Sequence, residues 1–261
     1  MWTKLHFITM IPTFIILAIA TFFIWKWLKD KDEKIKLIPI QIIAGLIVIL
    51  EIIKQIDAAM EPGGYRIKAL PLYYCSLFLY LYPIFAFYTG KHKNAIRNLT
   101  LCSGTALIAL MLIMPNQIYS LANLQAFFTY YDSFHTVFFH NLVVFGTFLI
   151  LALNLYEINP NRDYLYVSLF YLTYCVIVAP ISNLLKKNFH FFYSNPVSLI
   201  ESIRQQWIAS LGQFLGQSCY VLTTTILTIG FSMLMYFILY KILQLVNLTK
   251  KHIKTKQNNN N

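Results

Sequence analysis

Seven runs of apolar residues recur along the chain, at roughly 7–28, 37–56, 70–89, 95–115, 135–156, 164–185 and 218–246. Each approaches the ~20 residues that carry a helix across a bilayer. Lipid offers the backbone no hydrogen-bond partner, so a spanning segment of this kind must satisfy its own amides as a helix. The pattern predicts an all-α polytopic membrane bundle of about seven helices. Short connections make neighbouring helices antiparallel. Residues 1–249 then form one transmembrane domain, and 250–261 a basic, Asn-rich, disordered tail. No internal repeat is visible, which does not support an inverted-repeat transporter architecture. Two connections stand out. The aromatic, nearly uncharged stretch Pro115–Ser133 reads as an interfacial or re-entrant element, and Lys186–Gln217 is aromatic at first and then amphipathic.

Composition strengthens this reading. Hydrophobic residues make up 58% of the 261, charged residues 12%, and the mean hydropathy is +0.58. A soluble surface cannot be built from so few charges. Ala18-Ile19-Ala20 resembles a signal-peptide cleavage site, but the run continues through Phe22, Phe23, Ile24 and Trp25 to a charged stop at Lys26–Lys36, which makes it a span. The net charge of +11 sits in short juxtamembrane clusters and not on a folded face with stacking aromatics, so nucleic acid is not an expected partner. Thirteen Lys and Arg fall on one side of a seven-span topology and seven on the other. The positive-inside rule then places the N-terminus outside, the C-terminal tail in the cytoplasm, and the protein in the cell membrane as a multi-pass chain.

Chemistry has to come from the few polar residues in or beside the spans, where they are costly and therefore functional by default. Four sets qualify: Glu51 with Lys54, Cys75, His135 with His140, and Asn183. The topology puts all of them at one end of the bundle, about 7–8 Å below the boundary for Cys75 and His140. Together they predict one shallow pocket facing outward. The two histidines are five residues apart, ~140° around a helix, so they do not form a metal pair. Thr136 and His140 share a face, which points His140 inward and leaves His135 interfacial. The four cysteines lie in apolar runs without a CxxC pair, so neither a disulfide framework nor zinc is expected. No cofactor is expected either. Cys75 beside a histidine reads as a nucleophile with its base. It also reads as a small apolar filler, as Cys102, Cys175 and Cys219 do. Glu51 and Lys54 either neutralise each other or line the pocket.

Leu70-Pro71-Leu72-Tyr73-Tyr74-Cys75 resembles the LPLHLC-like motif of the YwaF-type integral membrane family, in which a glutamate precedes the motif and a histidine follows in a later helix. Glu51 fits the glutamate and Phe138-Phe139-His140-Asn141-Leu142 the histidine run. The likeness covers roughly residues 40–200, with a loose echo of an Asn-Xaa-Asn-Tyr-like stretch between Asn183 and Phe192. That family is distantly similar to a eukaryotic membrane acyltransferase that remodels ether phospholipids. The resemblance implies Cys75 as nucleophile and His140 as base in acyl transfer or acyl-ester hydrolysis on a membrane phospholipid, with Asn141 or Asn183 donating to the oxyanion. Tyr73 stands where the motif has a histidine, a departure that puts rate, specificity and the activity itself in question. Transport or small-molecule binding through Glu51, Lys54 and His140 is the alternative, as is a non-catalytic scaffold whose basic tail meets anionic lipid.

Overall fold

The structure, a computed structural model, describes the backbone of residues 2–259 and the side chains of residues 2–246. Its helices are α1 (Lys4–Leu28), α2 (Glu33–Ala59), α3 (Phe78–Phe87), α4 (Lys93–Ile113), α5 (Pro115–Ile118), α6 (Leu121–Gln125), α7 (Tyr131–Ala152), α8 (Pro160–Leu184) and α9 (Ser198–Asn259). Among the described residues there is no strand. Six helices are long and apolar enough to cross a membrane: α1, α2, α4, α7, α8 and residues 198–246 of α9. The polar tail expected at 250–261 falls where side chains lie outside the described residues.

The third apolar run differs from the expected helix over 70–89. Proline disfavours the α region for the residue before it, and Leu70 is extended (φ −52, ψ 134). Pro71 is spanned by a tight turn in which Leu72 N donates to Leu70 O at 2.8 Å. The chain then runs through extended Tyr73 into a 3-10 turn, Tyr74–Leu77, before α3 begins. Only 14 residues, Tyr74–Phe87, are helical. Such irregular backbone survives at membrane depth only where protein surrounds it. That condition is met: Gln55 Nε2 donates to Ala69 O (2.9 Å) and Tyr174 OH to Leu72 O (2.8 Å). The short helix buries one face, Phe78, Leu81, Tyr82 and Phe85, and leaves Tyr80, Ile84 and Phe87 exposed.

Helix α7 is central and packs on α1, α2, α4 and α6, while α4 packs on α3, α5, α7, α8 and α9. Small residues set these approaches, because in lipid helices associate through close packing and not through hydrophobic burial. A Cβ at Gly104 would lie 2.1 Å from Thr147 Oγ1, so α4 touches α7 there with no room for a methyl group. Within the patch Cys102-Ser103-Gly104-Thr105, Gly104 makes this contact, while Cys102 reaches Ser232 O of α9 and Ser103 reaches Tyr171 of α8. Tyr82 OH donates to Val143 O (2.8 Å) and ties α3 to α7. Outward faces remain apolar: α1 exposes Ile8, Ile15, Ile16, Ile19 and Phe23 to what is lipid in the membrane.

Each end of the bundle carries a polar clasp. At one end, Asp163 is 1% exposed and accepts hydrogen bonds from Asn98 Nδ2 (2.7 Å), Tyr236 OH (2.8 Å), Asn159 N (2.8 Å) and Arg162 Nε (2.9 Å). One carboxylate thereby joins α4, α8 and α9. At the other end, Trp2 Nε1 donates to Leu112 O (2.8 Å), pinning the N-terminus to the end of α4. His6 accepts from Thr3 N, so its proton is on Nε2 and goes to Tyr119 O (2.7 Å). The stretch Pro115–Ser133 closes this end with α5 and α6, burying Tyr119 while Phe128 stays exposed.

The last helix is not straight. Gly212 has φ 80 and ψ 165, left-handed backbone that favours glycine. Residues 198–211 fold back on the helix beyond Gly212: Arg204 Nη1 donates to Gln217 Oε1 (2.9 Å), and a Cβ at Gly216 would sit 2.5 Å from Trp207 O. The amphipathic segment expected before the last span is thus one arm of a helical hairpin.

Unfolding in detergent tests the helix contact and the buried clasp. Gly104→Ala drives a methyl group into Thr147 and is expected to lower stability by about 1–3 kcal/mol, whereas Gly45→Ala, with nothing within 4 Å of its Cβ, is neutral or gains up to about 1 kcal/mol of helix propensity. Asp163→Ala leaves Tyr236 without its acceptor, takes one of two from Asn98 Nδ2, which keeps Glu157 O, and strands Arg162, and it is expected to cost about 3 kcal/mol. A thermal melt equal to the native one would refute either.

Candidate functional site

A cavity of about 550 Å³ opens at the end of the bundle where α2 finishes and α7 begins. Cys75, His140, Glu51, Tyr73 and His135 all line it. Three elements bring them there: α2 supplies Glu51, the extended run and its 3-10 turn supply Tyr73 and Cys75, and α7 supplies both histidines. Its other wall is apolar, with Leu107, Leu110 and Met114 of the α4 end and Ile118 of α5.

Glu51 is 5% exposed and is not left alone. Lys54 Nζ lies 2.8 Å from its carboxylate, Gln55 Nε2 donates at 2.5 Å, and His135 Nε2 lies 3.4 Å away. The Glu51–Lys54 pair therefore both neutralises itself and lines the cavity. His135 is buried and not interfacial, with an Nε2 near Glu51 that completes no hydrogen bond. Two histidines five residues apart reach one cavity because Asp132, His135, Thr136, Phe139 and His140 form one broad face of α7, with the histidines at its two edges.

His140 has its proton placed by the backbone. Its Nδ1 is 2.5 Å from Thr136 O, the carbonyl one turn earlier. A carbonyl only accepts, so Nδ1 carries the hydrogen and Nε2 is a bare lone pair. Among the described residues Nε2 has no protein partner and is not sealed off, which leaves it facing the cavity. Helix α7 starts at Tyr131, so His140 lies ~13 Å along it, deeper than the sequence suggests. Cys75 lines the same cavity and makes no hydrogen bond to His140 in this state.

Asn141 and Asn183 do not belong to this arrangement. Asn141 Oδ1 accepts from Tyr119 OH (2.8 Å), and Asn183 Nδ2 is spent on Ala179 O (2.8 Å) and Phe192 O (3.3 Å). Neither lines the cavity. Asn188 does: its Oδ1 accepts from Tyr193 N and Ser194 N (3.3 Å each), which turns the amide donor free. Sequence reasoning missed it because a loop asparagine carries no periodicity; its only signal was its place inside the Asn183–Phe192 stretch.

The loop after α8 also delivers His190. Its ring stacks on Tyr74 (5.7 Å, 20°) and meets Tyr174 edge-on (5.3 Å), while neighbouring Phe189 packs on Tyr73 (5.3 Å). His190 and Phe191 have φ 50 and φ 63. Two successive non-glycine residues in the left-handed region cost about 1–3 kcal/mol each and persist only where neighbours over-determine them. Tyr220 OH holds Phe191 O, and Gln217 Nε2 holds Phe192 O (3.0 Å). Burial pushes the His190 imidazole down to about 4, so it is neutral at pH 7.

The cavity mouth is polar and nearly balanced in charge. Arg66 Nη2 reaches Asp57 (2.8 Å) and Asp132 (2.9 Å), and Nη1 reaches Glu61 (3.0 Å). This clasp holds the loop after α2 against the start of α7. Among the described residues no group of three His, Cys, Asp or Glu side chains is disposed to hold a metal ion.

Residues 1–247 match the model of the TMEM164 family. No curated protein and no solved structure matches the chain. The match names neither the YwaF type nor acyl transfer, both of which rest on the short motifs around Cys75 and His140. It spans α1 to α8 and α9 up to residue 247, and by it the chain belongs to the TMEM164 family, a family of transmembrane proteins.

Proposed function

We propose that this membrane protein moves an acyl group from a phospholipid ester through a thioester on Cys75. The observation that carries the reading is the meeting of Cys75 with the bare Nε2 of His140 on one cavity. Covalent acyl chemistry needs a nucleophile, a base and a group that orients the base, and the lining of this one cavity supplies all three, with Cys75 and His140 closing to hydrogen-bond distance when substrate binds. A carbonyl plays the orienting part here and fixes the tautomer without adding charge. The apolar wall suits an acyl chain, and the polar mouth suits a headgroup.

In the first step His140 Nε2 takes the Cys75 thiol proton and the thiolate sulfur attacks the ester carbonyl. The carbon–sulfur bond forms as the carbon–oxygen bond to the lipid breaks, and the leaving oxygen recovers the proton from the imidazolium. Donors for the developing oxyanion are Asn188 Nδ2 and the Tyr73 hydroxyl, in place of Asn141 and Asn183. Tyr73, where the resembling motif has histidine, then serves as a donor and needs no basicity.

In vesicles containing a phospholipid with a fluorescent acyl chain, the native protein is expected to release lysolipid and to carry the acyl group on Cys75 by mass spectrometry. Cys75→Ala should lose both, with unchanged thermal unfolding, while Cys102→Ala, altered at a buried packing site, should keep both. Full turnover in Cys75→Ala would sink the reading. His140→Gln removes the base and is expected to slow acylation by about 10²–10⁴-fold; acylation at the native rate would remove His140 from the step.

A further inference from the structure

The cavity holds a second bare imidazole nitrogen that acylation does not use. Thr228 has one hydroxyl proton, and its Oγ1 donates it to Thr224 O at 2.8 Å. That oxygen can only accept from His190, whose Nε2 lies 2.9 Å away. The proton of His190 is thereby fixed on Nε2, and Nδ1 is a lone pair. Among the described residues Nδ1 has no partner and is not sealed off, and His190 lines the cavity.

Its placement is specific. The loop that carries it rests on Tyr73 and Tyr74, the two residues that lead into Cys75. His140 comes from a different element, α7, whereas His190 comes from the connection after α8 and packs against Tyr74 and Tyr174 beside the turn that carries Cys75. The left-handed backbone at His190 and Phe191 is kept by side chains of α9, so the imidazole is held in place at the expense of local strain.

We propose that His190 is the base of the second half-reaction, taking the proton of the hydroxyl that receives the acyl group. This step rests on the acyl-transfer reading. The acceptor oxygen, from a lysolipid hydroxyl or from water, loses its proton to His190 Nδ1 and attacks the Cys75 thioester. A carbon–oxygen bond forms, the carbon–sulfur bond breaks, and the departing thiolate takes the proton back from His190. The acceptor class is a hydroxyl compound, and two arms separate its sources: lysophospholipid present gives transfer, and water alone gives free fatty acid.

The test compares the native protein with His190→Asn in vesicles of fluorescent-acyl phospholipid, with and without lysophospholipid. Asparagine tolerates φ near 50 and keeps a polar atom at the Nδ1 position, but it is not a base. The variant is expected to form the Cys75 thioester at the native rate, to accumulate it, and to release product about 10²–10⁴-fold more slowly. Hydroxylamine, which attacks without base help, should discharge the adduct equally from both proteins. Should His190→Asn fail to fold, Thr228→Val removes only the acceptor that fixes the tautomer, and the same accumulation is expected to a smaller degree. Native turnover without accumulation in the variants, or loss of thioester formation in a folded variant, overturns the assignment. Absence of thioester on the native protein overturns the acyl-transfer reading and this one with it.

Discussion

Every peptide group at membrane depth needs a partner from protein, and the four residues Leu70–Tyr73 are where this chain meets that demand without a helix. Pro71 keeps Leu70 out of the α region, so the backbone there is extended, with Gln55 holding the Ala69 carbonyl just before it and Tyr174 the Leu72 carbonyl within it. Both donors come from long helices, α2 and α8, which must close around the segment before it can stay. Cys75 sits immediately after it, at the first turn of helix that the surrounding bundle permits. The depth of the thiol is therefore set by how far the proline-limited extended segment penetrates, and the short α3 buries one face, Phe78, Leu81, Tyr82 and Phe85, while Tyr80, Ile84 and Phe87 stay exposed.

The cavity is organised by the same economy of partners. His140 and His190 each have one nitrogen engaged by a group that can act in only one sense: a carbonyl for His140, a hydroxyl already committed as donor for His190. The bond that orients the ring also assigns its proton, with no charged neighbour required. Charge is concentrated instead in the Glu51–Lys54 pair and the Arg66 clasp, which face the mouth and cancel much of each other. The interior of the cavity is left with neutral groups, a thiol and two lone pairs, which lipid surroundings tolerate better than ions.

The helices are legible in the sequence because the apolar runs are nearly uninterrupted and the membrane leaves a chain few alternatives. The grouping of Glu51, Cys75 and His140 at one end is also legible, since helix direction alternates and each residue's distance from a span boundary can be counted. The failures have local causes. Pro71 suits the first turn of a helix, but its effect on Leu70 dominates. The angle between the two histidines misplaces His135, because a cavity-facing stripe of α7 is wide enough to hold both at its edges. Asn141 and Asn183 qualify by lying within spans, yet Tyr119 and the carbonyls of Ala179 and Phe192 consume them. Asn188 and His190 come from a loop, where no periodicity points at an interior. The reversal at Gly212 has only a lone glycine to announce it.

The hairpin in α9 has a mechanical meaning. Gln217, Tyr220 and Thr228 lie within about three turns of one another on the arm after Gly212, and all three grip the loop that forms a wall of the cavity. Leu222, Ile226 and Leu227 of the same arm are exposed on the lipid-facing surface. One short stretch of helix thus has the bilayer on one side and the His190 loop on the other, with no flexible joint between them. Packing against neighbouring helices sets the tilt of a spanning helix, so the seat of this arm among its neighbours also fixes where the wall of the cavity stands.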